Sequence, residues 1–271
     1  MRLHVRHQTS YRYDAPVGGA IQTLRLTPRS YEGLRIVQWR VWSDTRRELP
    51  VFVDGYGNLT HCHAVNQQHS AAVVFVEGEV ETTATSGIVR GTPEPLPPLF
   101  FLRRTRLTQP DGALEALARQ VAVQGSVLKQ LHTLLNAVRD KLDYLPGMTD
   151  SATTAAEAFA AGAGVCQDHA HVFIAAARLL GIPARYIGGY LWTGMVSREY
   201  QATHAWAEAF VHDLGWVGFD PANRICPTEA YIRTSVGLDY WSAAPVRGVR
   251  RGTAAEKMAV AVQVTQAGGD Q

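Results

Sequence analysis

The sequence has few of the features that mark several large classes of protein. Its 271 residues include only three cysteines, which is too few for a disulfide framework. No apolar run approaches the roughly 20 residues that span a bilayer, and the first residues lack the apolar core of a signal peptide. Basic and acidic residues nearly balance, 26 against 24, so the charge implies no polyanionic partner. These absences predict a cytoplasmic protein that binds neither membranes nor nucleic acids.

Motifs for metals and cofactors are scarce as well. The segments 61–63 and 169–171 each contain two histidines with one residue between them. On a strand, residues 61 and 63 face away from Cys62, and on a helix residues 169 and 171 point about 200° apart. The sequence has no CxxC or HExxH spacing, and no glycine-rich phosphate loop lies between a strand and a helix. We therefore expect no metal and no cofactor.

The sequence changes character near residue 90. Before that point, short runs of alternating polar and apolar residues are separated by turn signals such as Asp54–Asn58. This pattern predicts an antiparallel β-sandwich over residues 1–90. Four prolines then fall between positions 93 and 98, where they favour extended backbone over helix or sheet. Residues 91–110 are therefore predicted to connect two domains.

Beyond the connector, apolar residues recur with the helical period of 3.6. Asp111 and Ser126 are suitable caps for two helices, and further helices are predicted at about 154–161 and from Cys166 to Leu180. Strands follow at 184–190, 204–212 and 215–220, and an alternating run at 259–264 can return to close a sheet. The pattern predicts an α+β domain over residues 111–271, with helices first, antiparallel strands after them and a C-terminal strand extension.

Cys166 is the first candidate for chemistry. It is predicted to begin a helix, where free backbone N–H groups and the positive end of the helix dipole stabilise a thiolate. Gly164, two residues earlier, leaves room for a substrate carbonyl. The plainer interpretation is a small cysteine in the core. Cys62 and Cys226 lack this setting, since they lie in a predicted strand and a loop.

His204 and Asp220 lie on two predicted strands joined by a tight turn at 212–215. Alternation places His204, Trp206 and Glu208 on one face and a row of alanines on the other, suited to packing against a helix. In an even-sum register, His204 and Asp220 share a face within reach of each other. Taken singly, each has a plainer interpretation, as a structural histidine and as a turn-forming aspartate before a proline.

The three candidates together match the order of a cysteine nucleophile, its base and the residue that orients the base. An aspartate that accepts a hydrogen bond from the second imidazole nitrogen fixes the tautomer and orientation of the ring. A cysteine activated in this way attacks carbonyl carbon. The combination therefore predicts cysteine-dependent acyl transfer on amide bonds.

Several blocks of sequence also resemble a known family. They are Gly164–Phe173, Leu180–Tyr190, Thr203–Glu208 and Gly215–Asn223, with His7–Tyr13, Leu24–Arg29 and Asp54–Asn58 in the N-terminal half. The first four resemble the core of the bacterial transglutaminase-like superfamily, whose members are often described as cysteine proteases, and the others resemble the β-domain that precedes this core. The resemblance covers nearly the whole chain. It implies a papain-like core in which Cys166 is the nucleophile, His204 the base and Asp220 the orienting residue.

Three more residues are expected to line this site. Tyr144 follows the second helix, where related folds place a side-chain donor to the oxyanion; otherwise it is an ordinary half-buried tyrosine at a helix end. Trp206 is expected to shield the site from water, and Gln167 adjoins the nucleophile. Residues 168, 169 and 171 surround Cys166 without a separate predicted role.

The favoured function is hydrolysis of peptide or isopeptide bonds in a peptide or protein substrate. A transglutaminase would instead pass the acyl group to an amine, and the same three residues serve both reactions. A different alternative is a non-catalytic peptide-binding scaffold. Selective alkylation of Cys166 at pH 6 would support an enzyme, whereas equal labelling of all three cysteines would support the scaffold.

Overall fold

Strands make up the ordered structure of the first 90 residues in the computed structural model, which describes residues 1–123, 125–194 and 203–267. They are β1 (Arg2–Val17), β2 (Ala20–Thr27), β3 (Leu34–Ser43), β4 (Val51–Val53), β5 (Leu59–Val65), β6 (His69–Thr82) and β7 (Ile88–Val89). A 3₁₀ helix follows at Pro98–Leu102.

Helices and strands then alternate through the rest of the described chain. They are α1 (Gly112–Ala122), α2 (Val127–Lys141), β8 (Asp143–Tyr144), α3 (Ala155–Ala161), β9 (Ala163–Gly164), α4 (Cys166–Leu179), β10 (Ala184–Leu191), β11 (His204–Val211), β12 (Gly215–Phe219), β13 (Tyr231–Gly237), α5 (Tyr240–Ala243), β14 (Val246–Arg250) and β15 (Glu256–Gln266). None of the helices in the described residues is long and apolar enough to cross a membrane.

Two antiparallel sheets form the N-terminal sandwich that the sequence predicts. Their strand orders are β15-β1-β6-β3 and β14-β2-β5-β4. Leu24 and Leu26 from the second sheet pack against Val41, Val74 and Val76 from the first, and all five side chains are buried. The strand alternation seen in the sequence thus supplies one apolar face to each sheet, and the two faces form a common core.

The C-terminal strands pair with strands of the N-terminal sandwich. The sequence assigns 111–271 to the second domain, yet β15 pairs with β1 from Leu3 to Tyr13, and β14 pairs with β2. Conversely, β7 from the N-terminal half of the chain pairs with β12 in the second domain. Alternation indicates that a segment is a strand but not which edge it joins. Here the 16-residue β1 pairs with β6 along one edge, and β15 pairs with its other edge.

The connector is also less extended than its prolines suggest. Its 3₁₀ helix buries Phe101, whose ring packs edge-on against Trp216. Glu94 forms an ion pair with the buried Arg185, at 2.6 Å between Nη1 and Oε2. The connector therefore packs onto the second domain at Glu94 and Phe101.

The second domain matches the predicted α+β class. Asp111 caps α1 by accepting hydrogen bonds from two backbone N–H groups, and Ser126 caps α2 in the same way. The five-stranded sheet has the order β13-β10-β11-β12-β7, and its neighbouring strands are antiparallel. Helix α4 packs against the alanine face of β11, so the small side chains allow close approach of helix and sheet.

Candidate active site

Cys166 is the first residue of α4, as predicted, and its surroundings fix the start of that helix. The carboxylate of Asp168 accepts a hydrogen bond from the backbone N–H of Val165 at 2.8 Å and another from the Thr149 hydroxyl at 2.6 Å. A Cβ on Gly164 would lie 2.6 Å from the Asp168 side chain. Only glycine therefore fits beside the carboxylate that holds Cys166 in place.

The hairpin of β11 and β12 brings His204 and Asp220 together. Its register pairs Ala207 with Phe219 and Val211 with Gly215, which is the even-sum register expected from the sequence. His204 begins β11, and Asp220 directly follows β12. The Nε2 atom of His204 lies 2.6 Å from Oδ2 of Asp220.

The other side of His204 faces Cys166. The two side chains line the same cavity, and because Asp220 occupies Nε2, Nδ1 is the nitrogen available to the sulfur. Burial alone would lower the pKa of His204, but the negative charge of Cys166 and the hydrogen bond to Asp220 raise it to about 10. The imidazolium form is thus stabilised beside Cys166 by the carboxylate of Asp220.

Asp220 is fully buried, yet it accepts several hydrogen bonds. Oδ2 accepts from the Tyr231 hydroxyl and from Nδ2 of Asn223, each at 2.7 Å, in addition to His204. Burial would raise the pKa of Asp220, but the hydrogen bonds from His204, Tyr231 and Asn223 outweigh it and lower the pKa. The carboxylate is therefore held charged and in one orientation.

Sequence reasoning missed Tyr231 and Asn223 as parts of the site. Asn223 lies three residues after Asp220, and its backbone N–H bonds Oδ1 at 3.2 Å, so an aspartate-turn pattern was available as a signal. Tyr231 begins β13 and comes from a strand that the sequence reasoning did not predict. Its contact depends on tertiary pairing, for which the local sequence offers no signal.

Tyr144 also reaches Cys166. The short β8 and β9 strands pair in parallel, with Tyr144 opposite Gly164, so the tyrosine lies beside the start of α4. Burial together with the nearby charge of Cys166 raises the pKa of Tyr144 to about 12. The phenol is therefore a protonated donor at neutral pH.

Two further predicted residues also lie at the site. Trp206 is buried and stacks on the ring of His204, with centroids 6.2 Å apart and planes 26° apart. It also packs edge-on against Tyr231. Gln167 follows Cys166 and directs its amide to the carbonyl of Asp150 at 3.3 Å. Trp206 thus covers the imidazole, whereas Gln167 braces a neighbouring loop.

The two histidines of α4 contact backbone groups of segments next to the site. The ring nitrogens of His169 lie 2.9 Å from the carbonyl oxygen of Val165 and 3.1 Å from that of Leu142. Nε2 of His171 accepts the backbone N–H of Tyr240 at 3.0 Å, and burial lowers the pKa of His171 to about 4. Among the described residues, no group of three or more His, Cys, Asp or Glu side chains is arranged to hold a metal ion.

Comparison with protein families matches both halves of the chain. Residues 115–221 match the transglutaminase-like superfamily core, and residues 3–81 match the bacterial transglutaminase-like N-terminal region. The first match contains Cys166, His204 and Asp220. The chain belongs to the transglutaminase-like superfamily.

Relatives of this transglutaminase-like chain match it over nearly its whole length. An uncharacterized protein of Mycobacterium leprae is 30% identical over 277 residues, which covers 98% of this chain and 99% of the relative. One from Mycobacterium tuberculosis is 29% identical over 92% of this chain and 87% of its own. A crystal structure of a candidate cysteine protease from Cytophaga hutchinsonii has a TM-score of 0.80 at 20% identity, covering 100% of this chain and 92% of that one. This last likeness shows a shared fold.

A cavity of about 210 Å³ opens beside Cys166. Cys166 and His204 both lie in its wall. Leu26 from the N-terminal sandwich also lines it. The cavity therefore lies where the two domains meet.

Proposed function

We propose that this protein hydrolyses peptide or isopeptide bonds through a covalent acyl intermediate on Cys166. The observation that carries the proposal is the hydrogen bond between His204 and Asp220 at 2.6 Å, with Cys166 and His204 together in the wall of one cavity. Membership of the superfamily supports cysteine-dependent acyl transfer in general. A scaffold without catalysis has no need of a buried carboxylate that is held by three donors behind an imidazolium.

The first half of the reaction forms the acyl-enzyme. The Cys166 thiolate attacks the amide carbon, the C–S bond forms, and the carbonyl electron pair moves to oxygen. The Tyr144 hydroxyl and the Cys166 backbone N–H donate to that oxyanion. The intermediate then collapses, the C–N bond breaks, and the His204 imidazolium gives its proton to the departing amine. A thioester on Cys166 and a neutral His204 remain.

The second half returns the enzyme to its starting state. Neutral His204 takes a proton from water as the water oxygen attacks the thioester carbon. The C–S bond breaks, the carboxylic acid leaves, and the thiolate–imidazolium pair is restored. Asp220 stays charged throughout and orients the ring in both halves. An amine in place of water would give transfer by the same steps.

The proposal is tested by turnover of peptide esters and peptide amides that the wild type accepts. Cys166→Ala is expected to lose turnover to background, whereas Cys62→Ala, the control, keeps it. Reactions in H₂¹⁸O with and without a primary amine separate hydrolysis from transfer, because only hydrolysis places ¹⁸O in the acid product. Turnover that survives Cys166→Ala would contradict the assignment of the nucleophile. Products dominated by the amine adduct would replace hydrolysis with transfer.

A further inference from the structure

The cavity beside Cys166 has the size of a pocket for one amino-acid side chain. Its volume of about 210 Å³ equals that of about seven water molecules at liquid density. Pockets that hold whole drug-sized ligands are larger, about 300–1,000 Å³. The space is therefore suited to a single side chain near the reacting carbonyl and not to a cofactor.

The walls of this pocket are uncharged. Apart from Cys166 and His204, the lining residues among the described part of the chain include no Asp, Glu, Lys, Arg or second His. Tyr186, Tyr190 and Tyr240 supply aromatic surface, and Ala243 and Pro245 supply aliphatic surface. A charged side chain placed there would lose its water shell without gaining an ionic partner, which is costly.

The Tyr186 hydroxyl in the wall is available to meet a ligand. The Tyr190 hydroxyl bonds His7 at 2.9 Å, and the Ser235 hydroxyl bonds the carbonyl of Ala243 at 2.8 Å. Tyr186 is 97% buried, since its exposed fraction is 3%, and its hydroxyl has no hydrogen-bond partner among the described residues. Burial raises the pKa of Tyr186 well above its usual value, so this hydroxyl stays protonated. Because Tyr186 lines the cavity, a polar atom of a bound side chain is a suitable partner for its hydroxyl.

The N-terminal sandwich completes the pocket. Leu26 on β2 lines it while also packing in the sandwich core. Next to it, the backbone N–H of Arg25 donates to the carbonyl of Pro245 at 2.8 Å, so β2 is hydrogen-bonded to a neighbouring segment that also lines the cavity. Trp39 donates its indole N–H to the carbonyl of Leu26 at 3.1 Å and contacts Tyr190. These contacts hold the sandwich against the catalytic sheet at this wall.

We propose that the cavity is the specificity pocket for an uncharged side chain adjoining the scissile bond, and that Leu26 of the N-terminal sandwich limits its depth. This inference rests on the proposed function, because it assumes that an acyl substrate reaches Cys166. It also gives the sandwich a direct part in substrate choice. The favoured side chain is aliphatic or aromatic, and a polar tip directed at Tyr186 adds a hydrogen bond.

The test uses peptides of one sequence that differ only at the two residues flanking the scissile amide. At one of these positions, the wild type is expected to turn over Leu or Phe about 100-fold better than Asp or Lys, measured as kcat/KM. Leu26→Ala deepens the pocket and is expected to improve a larger group such as Trp about 10-fold relative to Leu. Tyr186→Phe removes the free hydroxyl and is expected to lower kcat/KM for Gln relative to Leu.

A matched control separates the pocket from general damage to the sandwich. Leu24 lies two residues from Leu26 on the same strand, is equally buried in the same core, and does not line the cavity. Leu24→Ala is therefore expected to lower stability like Leu26→Ala without changing the Trp-to-Leu ratio. If either substitution prevents folding, Leu26→Val and Leu24→Val, which each remove one methylene and still enlarge the space, replace the pair.

The outcomes distinguish failure of this inference from failure of the proposed function. Cys166-dependent turnover with no preference between charged and uncharged residues at either position would overturn the pocket and leave the function standing. The same holds if Leu26→Ala and Leu24→Ala change selectivity equally. Absence of Cys166-dependent turnover with every peptide would instead overturn the proposed function itself.

Discussion

Replacing Asp220 with asparagine removes the charge behind His204 but keeps the shape of the side chain. Oδ2 of Asp220 meets three donors, from His204, Tyr231 and Asn223, whereas Oδ1 meets one backbone N–H at 3.2 Å. An asparagine at this position therefore places its carbonyl oxygen at the Oδ2 position and its NH₂ at the Oδ1 position. The imidazole still donates from Nε2, so Nδ1 keeps its orientation toward the thiol.

The size of the effect follows from what is lost. A hydrogen bond to a charged group contributes about 1.5–3 kcal/mol, against about 0.5–1.5 kcal/mol for a neutral pair. Asp220→Asn turns the three hydrogen bonds at Oδ2 from charged into neutral ones, and it places the new NH₂ group against the backbone N–H of Asn223. Together these changes lower the free energy of unfolding by about 3 kcal/mol. For catalysis, the imidazolium loses about 1.4–2.7 kcal/mol of stabilisation, which lowers kcat/KM about 10- to 100-fold.

The assay compares Asp220→Asn, Asp220→Ala and Asp213→Asn on one ester substrate and in urea unfolding. Asp213 lies in the turn of the same hairpin with its side chain 93% exposed, so its substitution controls for loss of one acidic group. Activity should fall in the order Asp213→Asn, Asp220→Asn, Asp220→Ala. A loss of activity in Asp220→Asn as complete as that in Cys166→Ala would refute the argument that the tautomer is retained. Unchanged activity would refute the orienting role of Asp220.

Three further predictions follow from the same geometry. The pKa of His204, about 10, lies above its ordinary 6.5, so its contribution to folding stability is full below pH 6.5 and is lost as the pH rises toward 10. Activity should decline over the upper part of that range. Tyr231→Phe removes one hydrogen bond to Asp220, and it should change the shape of the pH–activity profile as well as its height. Tyr144→Phe removes one oxyanion donor and should lower kcat about 100-fold while alkylation of Cys166 continues; equal activity would exclude Tyr144 from that role. Glu208→Ala removes the carboxylate that Arg185 and Arg233 share, whose oxygens lie 2.7 and 2.8 Å from the two Nε atoms. The substitution should lower the free energy of unfolding in denaturant by about 3–5 kcal/mol, against under about 0.5 kcal/mol for a substitution in an exposed ion pair.

Local signals in the sequence predict much of the second domain. Asp111 and Ser126 both cap helices, because their side chains satisfy N–H groups within the next three residues. The hairpin that brings His204 to Asp220 is similarly local, since a short turn and strand parity set its register. The start of α4 at Cys166 follows from the glycine before it and the helical period after it.

Contacts between distant parts of the chain lie beyond such signals. Tyr231 bonds Asp220 because β13 adds to the free edge of β10, and Leu26 meets the catalytic cavity because two domains pack together. The pairing of β15 with β1 joins residues some 250 positions apart. In each case a strand pattern predicts an element but not its partner, since several edges would satisfy its backbone groups equally well.

The most direct test of the account is to identify the residue that carries the acyl group during turnover. A peptide ester is mixed with the protein, the reaction is quenched in acid within a fraction of the turnover time, and mass spectrometry locates the adduct. The account predicts a thioester on Cys166 that is absent in Cys166→Ala. Cys62 and Cys226 should remain unmodified, and burial raises the pKa of Cys226, which disfavours its thiolate. An adduct on either of these cysteines, or turnover by wild type without any Cys166 adduct, would contradict it.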